Sequence, residues 1–366
     1  MSGFRTVEGG RPLRIVQVGA GGMGRAWLRT IAADPNVELV GLVDLNLDTA
    51  RTALDAQGIL GDVAIGTSVS EMAAQTEADA VVNVTIPVAH LPVNREALAA
   101  GLPVLCEKPA APTIRDAYRQ AAAADVSGQL LMISQSRRYF AALDAVRAEL
   151  ASIGPISSVV TQFLKEAHFG GFREEMAHPL LIDMAIHQFD VARAVIGSEP
   201  VSVFCEEHNP SWSWFDGAAD AHAVFEFAGG ARYVFTGSWV AVGEETAWNG
   251  EWRVNGEGGT IRWDGADQVS VIRAGARDAP ERLDVPSGVP EEIAGSLREF
   301  VACLRSGARP DNAAASNVAS LAMVEAAVRS AETGTRVDIA DVRGAALAEA
   351  IEVEGDPATR AMLERF

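Results

Sequence analysis

Arg14-Ile15-Val16-Gln17-Val18-Gly19-Ala20-Gly21-Gly22-Met23-Gly24 is the stretch on which the fold turns. A short, mostly aliphatic run ends at Gly19, and a G-x-G-x-x-G follows at once and opens a helical pattern. In that strand-turn-helix setting Gly19 permits the tight turn, Gly21 lets the backbone approach a pyrophosphate, and Gly24 lets the helix pack closely on the strand. The N–H groups at the helix start then face an anion. Gly19, Ala20, Gly21, Gly22, Met23 and Gly24 are therefore the expected phosphate-binding turn of a dinucleotide site.

Asp44 ends the next apolar run, 20 residues beyond Gly24, where an acid accepts hydrogen bonds from adenosine ribose hydroxyls. A 2′-phosphate would meet like charge there, and the following Leu45, Asn46 and Leu47 offer no arginine to receive one. NAD rather than NADP is the expected cofactor. An aspartate at that place could instead cap the next helix.

Outward from the turn, apolar runs at 14–19, 37–43, 80–85, 103–106 and 129–133 alternate with helical patterns. That alternation predicts a parallel sheet covered by helices, and residues 1–134 read as a Rossmann NAD-binding domain. Beyond 134 the period changes. Residues 221–227 and 231–238 alternate apolar with polar around Gly229-Gly230, a hairpin signal, and further strands are expected at 158–164, 201–206, 251–255 and 260–263. Residues 135–340 thus read as an α+β domain on a large, mostly antiparallel open sheet, with helices on one face and another subunit expected on the other. Helices are expected at 291–305 and 313–332, and 341–366 reads as a helical tail. The fold class is α/β.

At 366 residues the chain has room for about two domains, and 48% hydrophobic with 22% charged residues is an ordinary globular balance. A formal net charge of -19 repels nucleic acid and anionic membrane surfaces, so neither is an expected partner. Cys106, Cys205 and Cys303 lie far apart, which argues against a disulfide framework and a cysteine metal cluster. Residues 1–10 are polar and no apolar run reaches membrane-spanning length, so a cytoplasmic location is expected.

Near the end of the first domain, Glu107-Lys108-Pro109 closes a short strand whose C-terminal edge faces the crevice where open α/β sheets bind ligands. Taken with the glycine turn, Asp44, Pro87-Val88-Ala89-His90 and Asp183-Met184-Ala185-Ile186-His187, this resembles the glucose-fructose oxidoreductase, inositol dehydrogenase and rhizopine-catabolism (Gfo/Idh/MocA) family over residues 13–339. The resemblance implies a Rossmann domain followed by an open-sheet domain, with homodimers or homotetramers formed through that sheet. It implies that Lys108 sits beside the nicotinamide and the substrate hydroxyl, that Asp183 and His187 complete the site, and that Thr85, Pro87, His90 and Glu107 contribute to the cofactor site. Lys108 could instead form a surface ion pair with Glu107.

Asp183 and His187, four apart in an expected helix, would lie on one face, one turn apart. Hydride transfer from a carbinol carbon needs a base for the hydroxyl proton, and histidine, with an unperturbed pKa of about 6.5, suits neutral pH. His187 is the expected base, Asp183 would orient it or hold a neighbouring hydroxyl, and Lys108 would donate to the substrate oxygen. An ordinary helix pair is the plain alternative. His178, Asp183 and His187 could also supply metal ligands, but nothing in the sequence supports a fourth, and no metal is expected. Arg138 could read substrate or pair with an acid, while His168, Phe169, Trp212 and Trp214 fall in expected loops where aromatic faces suit sugar rings. The activity expected is NAD-dependent oxidation of a secondary hydroxyl of a sugar, inositol or related polyol. An NAD-dependent glycosidase using transient oxidation and a non-catalytic NAD or sugar sensor are the alternatives.

Overall fold

The structure is a computed structural model describing residues 3–59, 61, 63–276 and 279–366. The chain forms two compact units, one from Met1–Ser136, Glu292–Val318 and Ala345–Phe366, the other from Arg137–Glu291 and Ala319–Gly344.

In the first unit the chain runs β1 (Leu13–Val18), α1 (Gly22–Ala33), β2 (Val37–Val43), α2 (Leu47–Ala56), β3 (Ala64–Gly66), α3 (Val69–Thr76), β4 (Ala80–Asn83), α4 (Pro87–Ala99), β5 (Val104–Glu107), α5 (Ile114–Ser127) and β6 (Leu131–Ser134). The strands form one parallel sheet in the order β3-β2-β1-β4-β5-β6, the Rossmann order. Every residue of β4, β5 and β6 is buried, as expected of strands covered on both faces. Local chemistry sets the helix ends: the Asn46 side chain accepts the Asp48 and Thr49 N–H groups at the start of α2, and Thr113 caps α5. The three-residue edge strand β3 was not anticipated, being too short to carry a period.

The second unit contains α6 (Ala141–Ile153), β7 (Ile156–Leu164), α7 (Ile186–Ile196), β8 (Pro200–His208), β9 (Asp220–Phe227), β10 (Arg232–Ser238), β11 (Glu251–Gly256), β12 (Gly259–Trp263), β13 (Val269–Arg273) and β14 (Glu281–Arg282). With β15 (Val337–Asp338) these form a nine-stranded sheet, β14-β13-β12-β11-β7-β10-β9-β8-β15. It is antiparallel except where β7 pairs in parallel with β10. Phe189 of α7 meets Phe225, Phe235 and Tyr233 edge-on at 4.8, 5.3 and 6.1 Å, which pins α7 to one face. Such ring pairs add about 0.5–1.5 kcal/mol each beyond the area they bury. On the opposite face Phe204, Val224, Val234 and Val160 stand in cross-strand register, a row of half-buried or exposed apolar side chains.

The remaining elements are α8 (Glu292–Ser306), α9 (Ala314–Thr333), α10 (Ile339–Val353) and α11 (Pro357–Leu363). The contiguous division at 134 and 340 needs correction here, because Glu292–Val318 and Ala345–Phe366 return to the first unit. The reason is local packing. Val7 N–H donates to Leu304 O of α8 at 2.9 Å, and Glu354 accepts from Arg95 of α4 and Arg119 of α5 at 3.0 Å each. Among the described residues no helix is long and apolar enough to cross a membrane.

Candidate active site

The glycine turn joins β1 to α1 beside the end of β4, where the strand order reverses. Gly19 has φ +101°, and a Cβ there would lie 2.7 Å from Val84 O; at Gly24 it would lie 2.4 Å from Gly19 O. Both positions therefore exclude a side chain. Gly21 and Gly22 differ, since a Cβ at either meets nothing within 4 Å, leaving the open space over the turn that a pyrophosphate requires. No side chain caps the start of α1, so its first N–H groups face that space without a side-chain acceptor. Met23 is half exposed beside it. The turn thus fits a dinucleotide.

Asp44 reaches back to this turn. Its Oδ2 accepts the Ala20 N–H and its Oδ1 the Asn46 N–H, each at 2.9 Å. Asn46, not Asp44, is the N-cap of α2. Ala20, expected to touch the cofactor, is fully buried with its N–H given to Asp44, so its part is to hold the turn.

Two neighbouring loops complete this end of the sheet. Thr85 directs both its N–H and its hydroxyl to Asn83 Oδ1, at 3.1 and 2.7 Å, and the half-exposed Lys108 follows the last residue of β5. Pro87 is the first residue of α4 and is exposed. His90 is fully buried, its ring nitrogens 2.8 Å from Pro109 O and 3.0 Å from Thr85 O. Burial pushes its pKa down against those hydrogen bonds. Both nitrogens face backbone carbonyls of the two loops, and the neutral ring donates to one of them. Glu107 is likewise buried, accepting the Trp27 indole N–H at 2.8 Å and the Lys108 N–H at 3.0 Å.

Sequence reasoning missed the residues that hold these loops. Gln17, fully buried, donates to Gly19 O and Gly24 O at 2.8 and 2.9 Å, stapling both ends of the turn. Asn83 donates to Asn94, Asn94 to Gln120, and Gln120 to Ala110 O, at 2.8, 2.8 and 2.6 Å, all three side chains fully buried. A polar residue inside an aliphatic strand run was the available signal for Gln17 and Asn83. Nothing in the sequence marks Asn94 or Gln120.

In the second unit, Asp183 lies in a π-helical turn, Leu180–Ala185, while His187 is the second residue of α7. The expected regular α-turn between them is replaced by this wider turn, a feature frequent at functional sites. Gly237 of β10 leaves the room that the turn's Leu180 fills, since a Cβ there would lie 2.9 Å from Leu180 Cδ2. His187 is 7% exposed. Asp183 accepts from Arg173 Nε at 2.9 Å, and the Arg173 guanidinium also lies over Phe172 at 4.8 Å and Phe169 at 5.5 Å. Arg173 carried no sequence signal.

Arg138, weighed between substrate and ion pair, is buried with two hydrogen bonds to Asp190 of α7, at 2.5 and 2.9 Å, and Ser320 donates to the same carboxylate at 2.6 Å. Two of its N–H groups are thus given to a carboxylate one turn along α7 from His187. His168 stacks on Trp214 at 3.8 Å between ring centroids and is mostly exposed. Trp214 and Trp212 donate to Ala167 O and Val240 O, at 2.9 and 3.3 Å. His178 pairs with Glu207 at 2.6 Å and Glu332 at 3.5 Å rather than with Asp183 or His187. Burial pushes Glu207 above the usual carboxylate range. Among the described residues no three His, Cys, Asp or Glu side chains gather as a metal site. The cysteines are free and buried, and burial pushes the Cys303 thiol up to about 11 and Cys205 to about 12.

Residues 13–135 match the family model described as an oxidoreductase family with an NAD-binding Rossmann fold, and 145–262 match the Gfo/Idh/MocA C-terminal domain. The chain is 28% identical over 347 residues to an uncharacterized protein, y4oX, of Sinorhizobium fredii, covering 89% of this chain and 95% of that protein. It is 27% identical over 340 residues to a D-apiose dehydrogenase of Paraburkholderia graminis, covering 88% of each. An oxidoreductase from Agrobacterium radiobacter, solved with NAD+, L-tartaric acid and magnesium, superposes with a TM-score of 0.79 at 21% identity, over 90% of this chain and 99% of that one. Two family models in succession, over the same two folds the strand orders display, leave one assignment: the chain belongs to the Gfo/Idh/MocA family of NAD-binding oxidoreductases.

Proposed function

We propose that this protein is a dehydrogenase that oxidises a secondary hydroxyl of a sugar, inositol or related polyol, with NAD preferred over NADP. The observation that carries the proposal is the placement of Lys108. It follows β5, next in the sheet to β4, so that the glycine turn, the Thr85 loop and a primary amine share the carboxyl ends of adjacent strands β1, β4 and β5. Open α/β sheets bind ligands at such a reversal of strand order. The similarity to a D-apiose dehydrogenase supports a carbohydrate substrate.

Bound NAD supplies the hydride acceptor. Lys108 donates a hydrogen bond to the substrate oxygen, favouring the alkoxide character that develops as the carbon is oxidised. His187 takes the hydroxyl proton, and Asp183, fixed by Arg173, holds a neighbouring hydroxyl or the imidazole. Asp44 sits where ribose hydroxyls are read and would repel a 2′-phosphate. The apolar row Phe204, Val224, Val234 and Val160 is the surface through which two copies would pair into a dimer or tetramer.

The test is steady-state kinetics with NAD and a panel of aldoses and inositols, comparing wild type with Lys108→Ala and His187→Ala. The expected result is a fall in kcat of about 10²-fold or more in each. Unchanged kcat in both variants would refute the assigned roles.

A further inference from the structure

Glu107 is a carboxylate buried at the root of the residue assigned to catalysis, and its two oxygens have different tasks. Oε2 accepts the Lys108 backbone N–H at 3.0 Å, which fixes the peptide carrying the lysine. Oε1 accepts the indole N–H of Trp27 at 2.8 Å. Trp27 is fully buried on α1, one turn beyond Gly24. A buried indole N–H calls for an acceptor, and here the acceptor is the carboxylate that also holds the Lys108 N–H. A buried carboxylate, in turn, is tolerated only with donors on its oxygens.

We propose that Trp27 is a positioning residue for Lys108: through Glu107 it fixes the peptide that carries the lysine. The inference rests on the catalytic assignment of Lys108. On the far side of the lysine, His90 faces Pro109 O and Gln120 donates to Ala110 O, so the peptide is held from both directions. The titratable neighbours of Glu107 include Lys108 itself, the Cys106 thiol, which burial keeps protonated, and His90. Ser134, paired in register with Glu107 on β6, adds no charge. Burial is the largest influence on Glu107 and raises its pKa on balance, against the opposing Trp27 hydrogen bond, Lys108 charge and Lys108 N–H. Removing the indole donor frees the Glu107 side chain to turn, and the Lys108 peptide N–H loses its fixed acceptor.

The experiment measures the rate at which an amine-acylating reagent labels Lys108 across a pH series, read by peptide mass spectrometry, in wild type, Trp27→Phe and Glu107→Gln. Trp27→Phe keeps an aromatic ring and loses the donor; Glu107→Gln leaves one acceptor oxygen where two N–H groups need one each, so one of the two hydrogen bonds is lost. Both variants are expected to change the labelling rate of Lys108 about threefold or more at a given pH, because a lysine on an unfixed peptide samples other positions. NAD affinity by calorimetry should stay within about twofold of wild type while kcat falls about ten- to a hundredfold. Labelling curves that superimpose on wild type in either folded variant would overturn the proposal, and if Trp27→Phe does not fold, Glu107→Gln decides alone. Lys108→Ala that still forms NADH would defeat the catalytic assignment instead, so the two failures are distinguishable.

Discussion

The Asp44 carboxylate accepts the backbone N–H of Ala20 at 2.9 Å, joining the end of β2 to the glycine turn after β1. One acid thereby holds the shape of the turn, and in the proposed function the same carboxylate reads the ribose. Asp44→Ala should weaken NAD binding about tenfold and narrow the preference for NAD over NADP, as measured by calorimetric titration of both cofactors. Equal NAD and NADP affinities in the wild type would remove Asp44 from that role.

The glycines of the turn should separate binding from folding. Gly24→Ala places a Cβ 2.4 Å from Gly19 O and should lower Tm by several degrees, on the order of 1–3 kcal/mol. Gly21→Ala meets no protein atom within 4 Å. It should leave Tm within about 1 °C of wild type and weaken NAD binding about tenfold or more. Thermal unfolding and calorimetry on the two variants distinguish a crowded turn from an occupied one.

Removal of the Arg138 guanidinium strands Asp190 in the interior. Arg138→Leu should cost about 3–5 kcal/mol, and Arg138→Lys should recover only part of it, since a single ammonium cannot reproduce the two-pronged contact. Urea unfolding of the three proteins measures this directly; equal stability would show that the pair carries no weight.

Glu354 gives a pH dependence with a definite sign. Burial by itself would raise its pKa, but Arg95, the Asp356 N–H and Arg119 outweigh it and hold the group below the usual carboxylate range. A carboxylate depressed on folding contributes stability that is present above its unfolded pKa, near 4.5, and is lost as pH falls through the lower folded value. Glu354→Gln should therefore lower Tm near neutrality and bring variant and wild type together in acid.

The parts of the fold legible in sequence were those carried by strong periods: five of the six parallel strands, the Gly229-Gly230 hairpin and the long helices. β3, β14 and β15 were illegible because two or three residues hold no period. The return of α8 and the C-terminal helices to the first unit was hidden because it depends on pairs such as Arg119 with Glu354, far apart in the chain. At the site, residue types with fixed spacing stood out, whereas the side chains that hold them did not. The partners of His90 and Arg138 were hidden, because sequence shows a polar group without showing what lies against it. The wider turn at Asp183 was likewise unreadable, since a π-turn has no compositional signature.

In the proposed reaction the carbon bearing a secondary hydroxyl gives its hydrogen to NAD with Lys108 in attendance. The measurement that reaches it most directly uses carbinol-deuterated sugars and inositols, with NMR detection of deuterium on the nicotinamide ring. The account predicts stoichiometric deuterated NADH from wild type and almost none from Lys108→Ala. Unlabelled nicotinamide throughout the panel, from protein shown to bind NAD, would contradict it.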